Sequence, residues 1–186
     1  MRSIKFNNDN LDLVVKYSDK EYKVYFNIQP EYEMEKVFKN SAFVETGKKI
    51  LTGTSTANYI FIKTISKPLL QTVLEAINTA IDKYTNRKIE RGFVWKNYKV
   101  WLNKENQLNY ASWLLASKDN ESIFPLCAKF IDKNTRNTVF YDFSSYDELK
   151  DFYSEMIKYI NNCIIENRKI KDNVDPNQYK IALDAI

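Results

Sequence analysis

Apolar residues favour period two within the first 65 positions of the chain, and helical spacing enters only afterwards, interleaved with further alternating segments. Ile4 and Phe6, then Leu11, Leu13, Val15 and Tyr17, then Tyr22, Val24, Phe26 and Ile28 alternate with polar residues, broken by Asn-Asn-Asp-Asn and Ser-Asp-Lys. Alternation of this kind predicts an antiparallel β-meander with one buried face. Pro30 is expected to end the third strand, because it cannot donate to a ladder. Tyr32, Met34, Val37 and Phe38 offer a further strand before the turn around Gly47, and Tyr59 to Ile65 a final apolar one.

Ser66 is then read as a helix cap with Pro68 in the first turn. Leu69, Leu70, Val73, Leu74, Ile77, Ala80, Ile81 and Tyr84 repeat at helical spacing behind it. Arg87, Lys88 and Arg91 stand near the end of this helix, where cations favour its dipole, and Gly92 punctuates the connection. Residues 1–92 are therefore expected to form a β-rich N-terminal domain with a packing helix.

A second block spans 93–172. Phe93 to Trp101 reads as extended, with Trp95, Tyr98 and Trp101 among lysines. Asn103 can cap a helix from Lys104 to Ser117 with Leu108, Ala111, Leu114 and Leu115 as its apolar stripe. Phe124 to Phe130 and Thr138 to Phe143 alternate around the polar turn Asp132 to Asn137, which predicts a β-hairpin. Ser145 and Glu148 have capping-box spacing, and Leu149, Phe152, Met156, Ile160 and Cys163 mark the buried stripe of a helix ending near Lys169. Residues 173–186, with Pro176, are expected to be an extended C-terminal arm. The fold class expected is α+β: an N-terminal antiparallel β-meander plus an amphipathic helix, followed by a helix–β-hairpin–helix block.

Composition adds a packed state and removes several chemistries. With 44% apolar residues, 13 Tyr, 11 Phe and 3 Trp, the chain has ample material for a core. It contains no His, so Ser-His-Asp and Cys-His relays and His-ligated zinc cannot be built. Its three glycines, Gly47, Gly53 and Gly92, are too scattered for a phosphate-cradling loop. Cys127 and Cys163 lack CxxC spacing and read as core filler in a reducing setting. The net charge of +4 is offset by 24 acidic residues and reads as solubility, so no nucleic-acid partner is expected. MRSIKFNNDN has no hydrophobic signal core, and no apolar run reaches membrane-spanning length, so neither secretion by a standard signal nor a membrane span is expected.

Four groups of residues could carry chemistry, and each has a plainer reading. Glu31, Glu33 and Glu35 alternate on one strand face and could gather a cation, but also suit a solvent-facing edge. Trp95, Tyr98 and Trp101 with Lys96 and Lys99 could stack bases or sugars, but such rings more often fill cores. Lys83, Arg87, Lys88 and Arg91 could meet phosphates, but also suit a solvated helix end. Ser112 has no evident base. No catalytic, cofactor-binding or metal-binding residue is assigned, no cofactor is expected, and the chain is not expected to be an enzyme.

The second block also carries an ordered series of residues. Trp101, Leu102, Glu105, Asn106, Gln107, Asn109 and Tyr110 open it, and Pro125 and Lys129 follow on one strand. Phe143 and Ser144 close the second strand, the long helix carries Glu148, Leu149, Phe152, Tyr153, Tyr159 and Ile160, and Lys171-Asp172 ends the series. In this order the block resembles a small domain of unknown function found towards the C-terminus of many phage tail and tail-fibre-associated proteins, especially in phages of gut Bacteroidales. It departs from that pattern at Asn167 and Arg168, where family members usually carry a glycine.

The resemblance implies a structural virion protein, in the tail or its collar, related to the crAss-like phages. Its partners would be copies of itself and other phage tail proteins, its place the virion tail assembled in the host cytoplasm, and its function mechanical, in a ring, collar or fibre attachment. The alternative is a small phage-encoded protein that binds and inhibits a host factor, since such proteins also lack catalytic motifs.

Overall fold

The computed structural model describes residues 13–26, 58–64 and 66–186. Ile4, Phe6, Leu11, Ile28, Pro30, the strand candidate Tyr32 to Phe38, Gly47 and Ile65 lie outside the described residues, as do Glu31, Glu33 and Glu35. The fold is α+β. Two compact units are present: one combines the described residues up to Lys83 with Glu166–Ile186, and the other is Tyr84–Ile165. Their limits fall inside helices, not at Gly92, where the end of the first helix marks the expected boundary.

In the first unit, β1 (Val14–Ser18), β2 (Glu21–Phe26) and β3 (Asn58–Lys63) form an antiparallel sheet in the order β1-β2-β3. Val24 pairs with Val14 on one side and Ile60 on the other, so Val14, Val24 and Ile60 share a face. That face holds Tyr22, Phe26 and Ile62 as well, all buried. The expected phase of β1 is corrected by this register. Val15 and Tyr17 lie on the opposite face, and Tyr17 is 60% exposed against Phe61 at 5.1 Å. A register irregularity between Lys16 and Ser18 interrupts the simple alternation.

α1 (Leu70–Arg91) places Val73, Ile77 and Ile81 in the same core with no exposed area. Ser66 does not cap it. Its N–H is engaged by Thr64 Oγ1 at 3.2 Å, and the first helical bond runs from Val73 N–H to the Leu69 carbonyl at 3.1 Å. Pro68 therefore precedes the helix, and Leu69 is exposed.

The expected extended arm is also corrected, since residues Pro176–Asp184 form a helix. Asp175 caps it by accepting from Asn177 N–H at 2.9 Å, and Pro176 stands in the first turn, where a missing N–H costs nothing. Tyr179, Ala182 and Leu183 enter the first core, and the Tyr179 hydroxyl donates to the Tyr25 carbonyl at 2.9 Å.

In the second unit, β4 (Phe93–Trp95), β5 (Tyr98–Val100), β6 (Leu126–Asp132) and β7 (Thr138–Phe143) form an antiparallel sheet in sequence order. The extended stretch before Trp101 is thus itself a hairpin, turned at Lys96 with φ 50°. Gly92 stands at φ 72° between α1 and β4, and a Cβ there would lie 1.6 Å from the Val100 carbonyl oxygen, so only glycine fits. The β6–β7 turn is held by Asp132, whose Oδ1 accepts from Thr135 N–H at 2.8 Å and Asn134 N–H at 2.9 Å, with Arg136 at φ 60°. Between sheet strands lie α2 (Lys104–Ser117) and a short 3-10 turn, Glu121–Ile123.

α3 (Tyr146–Asp172) lays Leu149, Phe152 and Met156 against Trp95, Ala128, Phe130 and Phe143, and this aromatic cluster is the second core. Phe152 sits 5.1 Å from Trp95 and 5.0 Å from Tyr110 between ring centroids, in edge-to-face contacts. Cys163 is buried further along the same stripe. The helix runs through Asn167 and Arg168 without interruption, ending beyond the expected Lys169.

Candidate interaction site

The tryptophan–lysine group divides rather than converging. Trp95 is buried, with ring neighbours Tyr141, Phe143 and Phe152, and Tyr98 packs against Phe130 and Tyr141. Trp101 alone is open, 55% exposed. Lys96 folds back over the Trp95 ring at 4.3 Å and donates to Glu148 Oε1 at 2.8 Å and to the Tyr141 hydroxyl at 2.7 Å.

Glu148 is the most heavily bonded carboxylate of this unit. Its Oε1 also accepts from the Tyr141 hydroxyl, and its Oε2 accepts from Ser144 N–H at 3.0 Å and Ser144 Oγ at 3.1 Å. The capping box predicted for Ser145 is therefore displaced by one residue on one arm. Ser145 Oγ accepts from Glu148 N–H at 3.3 Å, but the carboxylate returns to Ser144. Burial opposes the charge on Glu148, yet the hydrogen bonds from Lys96, Tyr141 and Ser144 outweigh it and hold the carboxyl at about 2. Every donor around it is a structural partner, so the depressed value describes a brace between β4–β5 and α3.

The Glu-Asn-Gln series is architectural as well. Asn103 Oδ1 accepts from Asn106 N–H at 2.8 Å, as its capping role requires. Asn106 Nδ2 donates to the Trp101 carbonyl at 3.1 Å and Gln107 Nε2 to the Leu102 carbonyl at 2.6 Å, so three amides fasten the start of α2 to the segment leaving β5.

The face of α2 turned inward is only partly the predicted one, since Leu114 packs against the core and Ala111 is half-buried. Tyr110 and Ser117 are buried with Trp113 and Leu114 beside the core, whereas Leu108 and Leu115, expected inside, are 67% and 77% exposed. The aromatic side chains win the inward face because each ring covers more area than a leucine. Leu108 and Leu115 are seven residues apart, so they lie on one side of the helix, with exposed Ser112 between them.

Where β5 leaves β6, a cleft of about 380 Å³ opens. Trp101 and Lys99 stand at one end, Tyr110 and Trp113 of α2 form a wall, and Cys127 and Lys129 of β6 form the floor. Cys127 is exposed, and its thiol is raised by a hydrogen bond to Asp142. Phe140, the cross-strand neighbour of Lys129, is 75% exposed on the outer side of the sheet. The sequence does not mark Trp113 and Phe140 as site residues, or give Lys129 a role beyond the resemblance, because nothing in their spacing tells where β5 and β6 part. The alternation of β7 does place Phe140 opposite Phe143 in phase, which was a usable signal.

The basic residues at the end of α1 are not among those that line this cleft. Lys83, Arg87 and Arg91 are exposed along α1 and Lys88 is half-buried, with its carbonyl accepting from the Tyr159 hydroxyl at 2.9 Å. Among the described residues no group of three or more Cys, Asp or Glu is placed to hold a metal ion, and no helix is long and apolar enough to cross a membrane. No family model, curated protein or solved structure matches the chain.

Proposed function

We propose that the protein is a structural component of a bacteriophage tail, a ring, collar or fibre-attachment subunit that works by contact with copies of itself and with other tail proteins. The observation that carries the reading is the outward stripe of α2. Leu108 and Leu115 have the spacing of core residues and no cover among the described residues, and large apolar side chains aligned on an open helix face suit contact with another protein surface. The phage context comes from the resemblance of the Trp101 to Asp172 block to the tail-associated domain. The hydrogen bonds of Asn103, Asn106, Gln107 and Glu148 support a mechanical role, since they brace the unit that presents this stripe.

Two measurements test the proposal. Mass spectrometry of purified virions should find the protein in multiple copies, and light scattering of the pure protein should find a discrete oligomer. A monomer that is missing from virions and retains one host protein would support the alternative, an inhibitor of a host factor.

A further inference from the structure

We propose that the cleft between β6 and α2 takes up an extended acidic peptide segment of a partner protein, added as a strand to the open edge of β6. β5 covers that edge only in part. Its ladder pairs Tyr98 with Asp132 and Lys99 with Ile131, and Lys133 N–H donates to the Asn97 carbonyl at 2.9 Å. After Val100 the chain turns off through Trp101 and Leu102 into α2.

Residues along an antiparallel strand direct their N–H and C=O groups alternately to one neighbour and the other. Ile131 and Lys133 address β5, so Lys129 and Cys127 address the same side, where the β5 ladder has ended. Leu126 to Phe130 are paired with β7 alone among the described residues. A run of unpaired main-chain donors and acceptors is a template for another strand. The open stretch is these five residues, about 13 Å from end to end, which suits a short segment.

The place left by β5 has side walls, which an ordinary sheet edge lacks. A strand laid beside Cys127 and Lys129 would direct alternate side chains among Trp101, Tyr110 and Trp113, which favour an apolar or aromatic residue. The intervening side chains would meet Lys99 and Lys129. Both lysines are exposed, neither is in a salt bridge among the described residues, and no carboxylate is among the residues that line the cleft, Asp142 on β7 being engaged by the Cys127 thiol. Acidic residues on the incoming strand therefore match the cleft, and basic ones are repelled. A single nucleic-acid strand could use the same rings and cations, but has no ladder groups to pair with β6, and the edge favours the peptide.

The proposal rests on the reading of the protein as an interaction component, but not on its presence in virions. The probe is a pool of heptapeptides with Glu fixed at alternate positions and random residues between, passed over the immobilised full chain. Three comparison pools carry Lys in place of Glu, or N-methyl groups on alternate amides, or are replaced by an oligothymidine. The expected result is retention of the Glu pool at least tenfold above the Lys pool and the N-methylated pool, with Lys129→Glu abolishing the difference while circular dichroism stays that of the native chain. Amide resonances of Cys127 and Lys129 should shift on binding. Equal retention of the N-methylated pool, no retention of the Glu pool, or preference for the oligothymidine would each overturn it. Absence of the protein from virions would instead remove only the tail assignment.

Discussion

Lys96 Nζ lies 2.8 Å from Glu148 Oε1, and this contact ties the turn of the β4–β5 hairpin to the first turn of α3. It joins residues 52 positions apart in the chain and is completed by Tyr141 and Ser144. The Lys96 side chain reaches it from a backbone at φ 50°, a conformation uncommon for residues that carry a Cβ. The ammonium is in turn raised above its ordinary value by the hydrogen bonds to Glu148 and Tyr141.

This brace predicts an acid-dependent loss of stability. The Glu148 carboxyl titrates at about 2 in the folded chain against an ordinary value of 4.5, so its contribution is complete above pH 4.5 and is lost as pH falls towards 2. Glu148→Gln should lower stability at pH 7 by about 1–2 kcal/mol, since the side chain is partly solvated and one capping bond is retained. Urea unfolding of the native chain and the variant should show this gap at pH 7 and a smaller gap at pH 3. An unchanged gap would show that Glu148 acts through shape alone.

Two positive-φ positions should respond in opposite directions to substitution. At Gly92 a methyl group would strike the Val100 carbonyl oxygen, a backbone atom that cannot move without opening β4–β5. Gly92→Ala is expected to cost at least about 3 kcal/mol, or to prevent folding. Arg136, at φ 60° on an exposed turn, should be indifferent to its side chain, and Arg136→Gly is expected to change stability by between zero and about +1 kcal/mol. Thermal melts of the two variants decide the point, and a harmless Gly92→Ala would refute the close approach.

Much of this architecture was legible because period and capping residues act locally. The β6–β7 hairpin, the Asn103 cap and the Leu149 to Cys163 stripe of α3 all follow from neighbours a few positions away. The phase of β1 was not legible, since it depends on the pairing of Val14 with Val24 across a register irregularity. Nor was the inward face of α2, where Tyr110 and Trp113 compete with Leu108 and Leu115 and tertiary ring packing decides. The cleft was the least legible feature, being defined by where two strands separate.

The C-terminal helix stands where an extended arm is expected, although its signals are present in the sequence: Asp175 before Pro176, then Tyr179, Ala182 and Leu183 at helical spacing. Because these residues complete the core of the N-terminal sheet, Leu183→Ala should cost about 2–4 kcal/mol. Tyr179→Phe should cost about 1 kcal/mol through the lost bond to the Tyr25 carbonyl. An arm without a packing role would show neither loss in chemical unfolding, so wild-type stability in both variants would overturn the assignment.

The outward stripe of α2 supplies the prediction that separates stability from assembly. Leu108 and Leu115 are 67% and 77% exposed, so replacing both with lysine removes little buried area and should alter the unfolding free energy by less than about 0.5 kcal/mol each. If the stripe is covered by a neighbouring subunit, the same double substitution sets two ammonium groups into an apolar contact without partners, which is far more costly there than in water. Leu108→Lys with Leu115→Lys should therefore leave the melting temperature of the isolated chain nearly unchanged and reduce self-association by at least tenfold in sedimentation equilibrium. Ser112→Ala, on the same exposed side, should leave association intact and control for general surface change. A double variant that associates like the native chain would move the contact elsewhere, and one that melts early would return these leucines to the core, where their spacing first placed them.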